Sequence, residues 1–245
     1  MSSFKKIMAI ALIATFLVSI PLTVLSAQAD VANVVFTVEY DESYAKPDSP
    51  PGLSKPPKDN DDEVYKIWFN RYTVAYVPMN IAVYTENAPQ GLTSGEVLTA
   101  VTAATDSWDE VTETDLILTI LPGSKSASVG YNEENAVLFG DYPTVGVIAV
   151  ASVWYSRRSR ELLECDIMFD IDFDWGNVDS DGGSVMDLQN IATHEFGHCF
   201  NLADIYDSSQ SHLTMYGYAD YGETNKRSLE AGDTAGIQSL FGAPP

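Results

Sequence analysis

Only three histidines and two cysteines occur in these 245 residues, and 13 lysines and arginines face 35 aspartates and glutamates. Each scarcity excludes something. The formal charge of -22 repels phosphate backbones and anionic lipid, so nucleic acid is not an expected partner. Such a surface suits divalent cations, basic peptides or a salty medium, and most of its carboxylates need no further reason than solubility. Two cysteines leave room for one internal bridge. No apolar run after residue 25 is long enough to span a bilayer. No internal repeat is present, and the length allows one sizeable core or at most two small domains. With 45% hydrophobic residues the chain has the composition of a globular protein.

The one long apolar run stands at the N-terminus. Lys5 and Lys6 precede an apolar stretch from Ile7 to Leu25, and Ala27-Gln28-Ala29 follows as a small-x-small cleavage site. Pro21 and the small residues at 27 and 29 favour a cleaved secretory signal over a retained anchor, and no cysteine near the site offers a lipid attachment. Residues 1–29 are therefore expected to be a signal peptide. Their removal takes the formal charge from -22 to -24, because they carry two lysines and no acid. The expected product is secreted, makes no stable membrane insertion and is monomeric. Outside the cell, Cys165 and Cys199 are candidates for a disulfide, with two buried thiols as the alternative.

Residues 30–62 divide into a short strand candidate, 30–40, and a Pro- and Asp-rich linker through Pro47, Pro50, Pro51, Pro56 and Pro57. The compact domain is expected to occupy 63–245. Within it, Arg71 to Tyr84 reads as a strand interrupted at Pro78. Thr93 to Val111 reads as a helix, since Val97, Val101, Ala104, Trp108 and Val111 recur at helical spacing. Asp115 to Leu121, Val145 to Tyr155 and Leu162 to Phe173 read as strands, the last alternating apolar residues with acids. Ser184, with Asp187 three residues on, reads as the capping box of a second helix. A last helix is expected from Leu229 to Phe241, ended by Gly242.

That second helix carries His194-Glu195-Phe196-Gly197-His198. Four residues turn an α-helix by about 400°, so both imidazoles leave one face, one turn apart, and can share a zinc ion. Glu195 lies about 100° around the helix. There it is a poor third ligand but is placed to take a proton from a water at the metal. A catalytic zinc needs a third protein ligand and an open position. Asn201 accepts the left-handed backbone better than any other non-glycine residue, and a sharp turn there would bring Asp204 under the metal. Asp207, His212 and Glu223 remain alternatives. A ligand as far downstream as Glu223 would give a thermolysin-like layout.

The segment from His194 to Asp204 resembles the extended zinc motif of the metzincin endopeptidases, H-E-x-x-H-x-x-G-x-x-H. Asn201 stands at the glycine position and Asp204 at the last ligand. Leu213 to Tyr218, with Met215, resembles the metzincin Met-turn. The run from Tyr216 to Phe241, the helix ending at Ser107-Trp108-Asp109 and the segment from Asp166 to Trp175 resemble bacterial or archaeal matrixin-type domains. The resemblance covers about residues 65–245. It implies an α+β fold: a twisted five-stranded mixed sheet with an active-site helix and a C-terminal helix. It implies one catalytic Zn2+ on His194, His198 and Asp204, with Glu195 as general base and Met215 beneath the site. It implies polypeptide substrates lying antiparallel to an edge strand formed by Val147, Ile148, Ala149, Val150 and Ala151. Tyr216 and Tyr218 would border the pocket beyond the scissile bond and are candidates to assist the oxyanion.

The departures carry expectations of their own. Val150 and Met168 stand where animal matrixins bind a structural zinc, so none is expected here. Residues 30–64 contain no cysteine, so the cysteine-based latency of matrixins is absent. Asp179 and Asp181, beside Gly182 and Gly183, are candidates for Ca2+ with incomplete ligand spacing, as are Asp170, Asp172 and Asp174. The rival reading of the chain is an extracellular binding protein that keeps the fold without catalysis. An intact Glu195 argues against it.

Overall fold

A computed structural model describes residues 30–40, 64–124 and 127–245. The expected signal peptide and the Pro-rich linker lie outside the described residues. Ten strands and four helices are seen: β1 Val31–Tyr40, β2 Thr73–Val74, β3 Met79–Val83, α1 Ser94–Asp109, β4 Ile117–Pro122, β5 Asn135–Gly140, β6 Val147–Ser156, β7 Glu161–Asp170, β8 Trp175–Gly176, α2 Val178–Asp181, β9 Met186–Asp187, α3 Leu188–Cys199, β10 Tyr218–Ala219 and α4 Ala231–Phe241.

The main sheet runs β10-β1-β6-β7-β5-β3-β4, with β2 paired beside β7. Strands β7, β5, β3 and β4 are mutually parallel, and β6 is antiparallel to β7. These five make up the mixed sheet that the family resemblance implies. The other three members, β1, β2 and β10, are additions to it. Strand β5 has no counterpart in the sequence patterning. Its inner residues Ala136 to Phe139 are all buried between β3 and β7, so it shows no alternation to read.

Helix α1 forms where its periodicity places it. Thr93 accepts the Glu96 amide and the Glu96 carboxylate accepts the Thr93 amide, closing a capping box. Val97, Val101, Ala104 and Trp108 form its buried stripe. Trp108 Nε1 donates to the Thr193 carbonyl at 2.8 Å, which ties α1 to the middle of α3. Fully burying side chains of this size contributes about 1.5–3 kcal/mol each.

The start of α3 differs from the expected capping box at Ser184. Asp187 is the cap, accepting the Asn190 amide at 2.9 Å. Residues 186–187 are held straight by pairing with β8, so the chain becomes helical only at Leu188. The Asp187 carboxylate also accepts from the Val178 amide and from Arg227, which fixes its position from two further directions. The last helix ends as expected, with Gly242 in the left-handed region at φ 81°. Among the described residues no helix is long and apolar enough to cross a membrane.

Candidate metal centre

Helix α3 is buried along nearly its whole length, between α1 and the sheet, so its polar residues need stated partners. His194 Nδ1 lies 2.7 Å from the Thr214 carbonyl and His198 Nδ1 lies 2.9 Å from the Leu202 carbonyl. A carbonyl only accepts, so each Nδ1 carries the ring proton and each neutral Nε2 presents a lone pair. The two Nε2 atoms are 3.2 Å apart, and each lies 3.3 Å from Oδ1 of Asp204. Three acceptor atoms thus face one point. A tetrahedral ion with bonds of about 2.0–2.1 Å spaces its ligands by about 3.3–3.4 Å. The triangle therefore has the size of one face of such a tetrahedron and leaves the fourth corner for a further ligand.

The chain reaches Asp204 as the sequence requires. Asn201 has φ 76° and reverses the backbone after α3. The Leu202 amide closes the turn on the Gly197 carbonyl at 2.9 Å. Asparagine does more here than glycine would. Its Oδ1 accepts the Phe69 amide at 2.9 Å and its Nδ2 donates to the Phe69 carbonyl at 3.0 Å, as a strand partner would. Around it the Trp68 amide donates to the Asn201 carbonyl and the Ala203 amide to the Lys66 carbonyl. The sequence offers the backbone reason for Asn201 but no sign of this pairing.

Beyond the turn, the Ile205 amide bonds the Met215 carbonyl and the Gly217 amide returns to the Ile205 carbonyl, so 204–206 run beside the Met-turn. Met215 packs against α3 at Gly197, where an added Cβ would come within 2.2 Å of its sulfur. Gly217 likewise allows Tyr206 and Asp204 to approach, since a Cβ there would sit 2.5 Å from the Tyr206 ring. The Asp233 carboxylate of α4 accepts the Thr214 and Met215 amides at 2.9 and 3.1 Å. The same peptide that orients His194 is thereby anchored to the last helix. Such outward bonds fix the tautomer and aim of metal-binding rings.

Electrostatics match this geometry. Burial would raise Asp204, but the charges and hydrogen bonds of His198 and His194 hold it well below the usual carboxylate range. Burial lowers His194. It acts on His198 too, but the Asp204 carboxylate outweighs it and raises that ring. Burial pushes Glu195 up to about 8. The Val38 amide moderates that rise without making a full hydrogen bond. Among the described residues, the buried side-chain polar atoms without a hydrogen-bond partner are Oε1 and Oε2 of Glu195 and Oδ1 of Asp204. All three belong to this group of residues, and a bound cation with its water would satisfy them.

The other candidates fall elsewhere. Glu223 accepts from the fully buried Lys226 at 2.6 Å, and Asp207 caps a short turn at Ser209, so neither joins the histidines. His212 is half-buried and also lies outside the group. Asp179 is bonded to Arg227 at 2.6 Å, and Asp181 accepts the Asn177 amide at 2.8 Å. They do not converge as cation ligands. The acids that do converge, within 4.8 Å among the described residues, are Asp141, Asp170 and Asp172. Asp174 stays apart from that group. Cys165 and Cys199 are bonded to each other and tie β7 to the end of α3.

One placement differs from the expectation in kind. Val147, Ile148, Ala149, Val150 and Ala151 lie on β6 beside the centre, but this stretch is not a free edge. Strand β1 pairs antiparallel along its outer side, with Phe36 opposite Ala151 and Val38 opposite Ala149. Residues 30–40 could be read as a strand from the sequence. Nothing in their composition says where the strand docks.

Two imidazoles and a carboxylate around one point, with Glu195 beside them lacking a hydrogen-bond partner, form a group that could hold one metal ion. The family model for matrixins matches residues 69–242, and the chain belongs to this family of zinc metalloproteases, which are typically extracellular. Comparison with curated proteins finds no match.

Proposed function

We propose that the protein is a secreted zinc endopeptidase in which His194, His198 and Asp204 hold the metal and Glu195 is the general base. The convergence of three acceptor atoms at the spacing of a tetrahedral face carries this reading. When bound, zinc supplies Lewis acidity toward water and the scissile carbonyl. The chain's own groups do the rest. Glu195, one residue from His194 and with both carboxylate oxygens free of hydrogen bonds, accepts the proton of the attacking water and returns it to the leaving amine. The carbonyls of Thr214 and Leu202 keep both rings in the ligating tautomer. Asp204 adds negative charge that a third histidine would not, and would make a bound metal a milder Lewis acid than three imidazoles would. An extended polypeptide is the substrate class that main-chain pairing along β6 selects.

The test combines metal content with a single substitution. One zinc per chain is expected, retained in Glu195→Gln, while hydrolysis of an unfolded protein collapses in that variant. A zinc-loaded chain that cleaves no peptide, either as it stands or after residues 31–40 have been released, would overturn the enzyme reading in favour of a binding protein.

A further inference from the structure

We infer that Tyr206 is a positioning residue of the metal centre: its phenol holds the Asp204 carboxylate so that one oxygen, Oδ1, stays turned toward the two imidazoles. The inference rests on the reading of Asp204 as the third ligand, and not on the reaction.

The need arises where the chain departs from the zinc motif it resembles. A third imidazole would offer one nitrogen. A carboxylate has two oxygens, and metal-binding carboxylates engage through one or both. In the triangle of His194, His198 and Asp204 it is Oδ1 that faces both rings, 3.3 Å from each Nε2. A second oxygen turned in beside it would crowd the position that a catalytic site keeps open. The Thr214 and Leu202 carbonyls aim the two rings from outside. A ligating carboxylate calls for an outer bond of the same kind.

Tyr206 stands where that bond can be made. The Ile205 amide bonds the Met215 carbonyl at 2.8 Å, the Gly217 amide bonds the Ile205 carbonyl at 3.0 Å, and Ile205 pairs with Tyr216 as in a parallel ladder. Along an extended segment alternate side chains leave one side. Asp204 and Tyr206 therefore project together, away from the buried Ile205. Gly217 shows how closely they converge. A Cβ at 217 would lie 2.9 Å from Cζ of Tyr206 and 3.2 Å from Oδ1 of Asp204. Cζ bears the hydroxyl, so the polar end of the ring is the end that meets the carboxylate. Tyr218 braces the Tyr206 ring edge-on at 5.5 Å, and Tyr216 braces Tyr218 at 5.6 Å, which fixes the phenol to the Met-turn.

The electrostatics agree with this placement. Burial, the charge of Asp204 and a hydrogen bond to its carboxylate raise the phenol above its ordinary range, so it keeps the proton it donates. Oδ1 accepts no hydrogen bond. The donor therefore serves the other oxygen and leaves Oδ1 to the rings' common point. Lys66 Nζ donates to the Asp204 carbonyl at 3.3 Å and steadies the main chain of the same residue. Tyr206 is not part of the core. Its ring is half-exposed, at the rim of a cavity that it lines with Lys66, Trp68 and Asp204, so its hydroxyl can be removed without opening the interior.

The experiment is a double-mutant cycle on the full chain. It is read by competition for zinc with a chromophoric chelator and by the visible spectrum of the protein loaded with Co2+. Tyr206→Phe should weaken zinc binding about 10–100-fold and shift the Co2+ bands, with the far-ultraviolet circular dichroism unchanged. In an Asp204→Ala background the same substitution should change affinity by no more than about twofold, because its target is gone. Asp204→His supplies a ligand without a second oxygen and should be equally indifferent to Tyr206→Phe. The proposal is overturned if Tyr206→Phe leaves affinity and Co2+ bands as in wild type while Asp204→Ala weakens zinc. It is overturned too if Tyr206→Phe weakens zinc equally with and without the Asp204 carboxylate, the mark of a merely structural role. If Asp204→Ala binds zinc as wild type does, the third-ligand reading fails and this proposal with it. If the coupling appears but the zinc-loaded wild type hydrolyses no peptide, Tyr206 stands as the holder of Asp204 and the protease reading is what fails.

Discussion

Glu195 and Asp204 at the metal centre, and Glu164 and Asp166 on β7, are four carboxylates largely taken out of water. The two regions treat them in opposite ways. On β7 the incoming loop answers each acid with main-chain amides. Glu164 accepts from Asn132 and Glu133, and Asp166 accepts from Gly130 and Ala136, both at 3.0 Å. At the centre no amide makes a full hydrogen bond to Glu195, and Oδ1 of Asp204 faces only the two ring nitrogens. The difference teaches that a buried acid alone does not mark a site. The acids of β7 are provided with donors by the fold, whereas Glu195 and Oδ1 of Asp204 have no hydrogen-bond donor of their own.

The sharpest break in this comparison is Glu195→Gln. Removing the base while keeping the shape should lower peptide hydrolysis about 10²–10⁴-fold, with zinc content unchanged by metal analysis. Asp204→Ala comes next. Loss of a residue that merely orients a ligand weakens metal binding about 10–100-fold, so loss of the ligand itself should exceed about 100-fold in a chelator competition. Zinc affinity equal to wild type would move the third ligand away from Asp204.

The disulfide joins the two regions directly, because Cys165 lies between Glu164 and Asp166 while Cys199 follows His198. Replacing both cysteines with serine should cost about 3–4 kcal/mol in denaturant unfolding, as expected for a loop of this length.

A smaller effect tests the β7 side alone. Burial pushes Asp166 up to about 7, with Glu164 and Glu134 adding to the rise. Its folded pKa thus lies above its unfolded value, so the folded state keeps a proton that the unfolded state loses. Stability should fall as pH rises from about 4 to about 7 and level off above that, by at most about 4 kcal/mol. Asp166→Asn should flatten that slope, measured by unfolding at several pH values. The smallest expected effect is that of Asp170→Asn in the second acid group: zinc content unchanged and stability altered by about 1 kcal/mol or less.

Much of the centre was legible in the residues because its chemistry is local. His194 and His198 needed only the helical repeat, and Asn201 needed only a residue that tolerates positive φ. Together they made Asp204 a candidate, with Asp207, His212 and Glu223 open beside it until the structure placed Asp204 3.3 Å from both rings. Helix α1 was equally plain, since its stripe is periodic and its cap is encoded in Thr93 and Glu96. What escaped was non-local or two-sided. Strand β5 is buried on both faces and so has no pattern. Asp187 took the cap expected at Ser184 because β8 and Arg227, distant in sequence, hold it there. The pairing of β1 with β6 escaped for the same reason: alternation along 31–40 reveals a strand but names no partner.

The bonds between Asn201 and Phe69 bear on where this domain physically begins. The family match starts at residue 69, yet Lys66, Ile67 and Trp68 form a short rung against 201–203, and the Val64 carbonyl lies against Gly232 of α4. A chain trimmed to the matched boundary would cut that rung away and leave the Asp204 turn supported from one side only. The family match stops a few residues short of the last brace that holds Asp204 beside the two imidazoles.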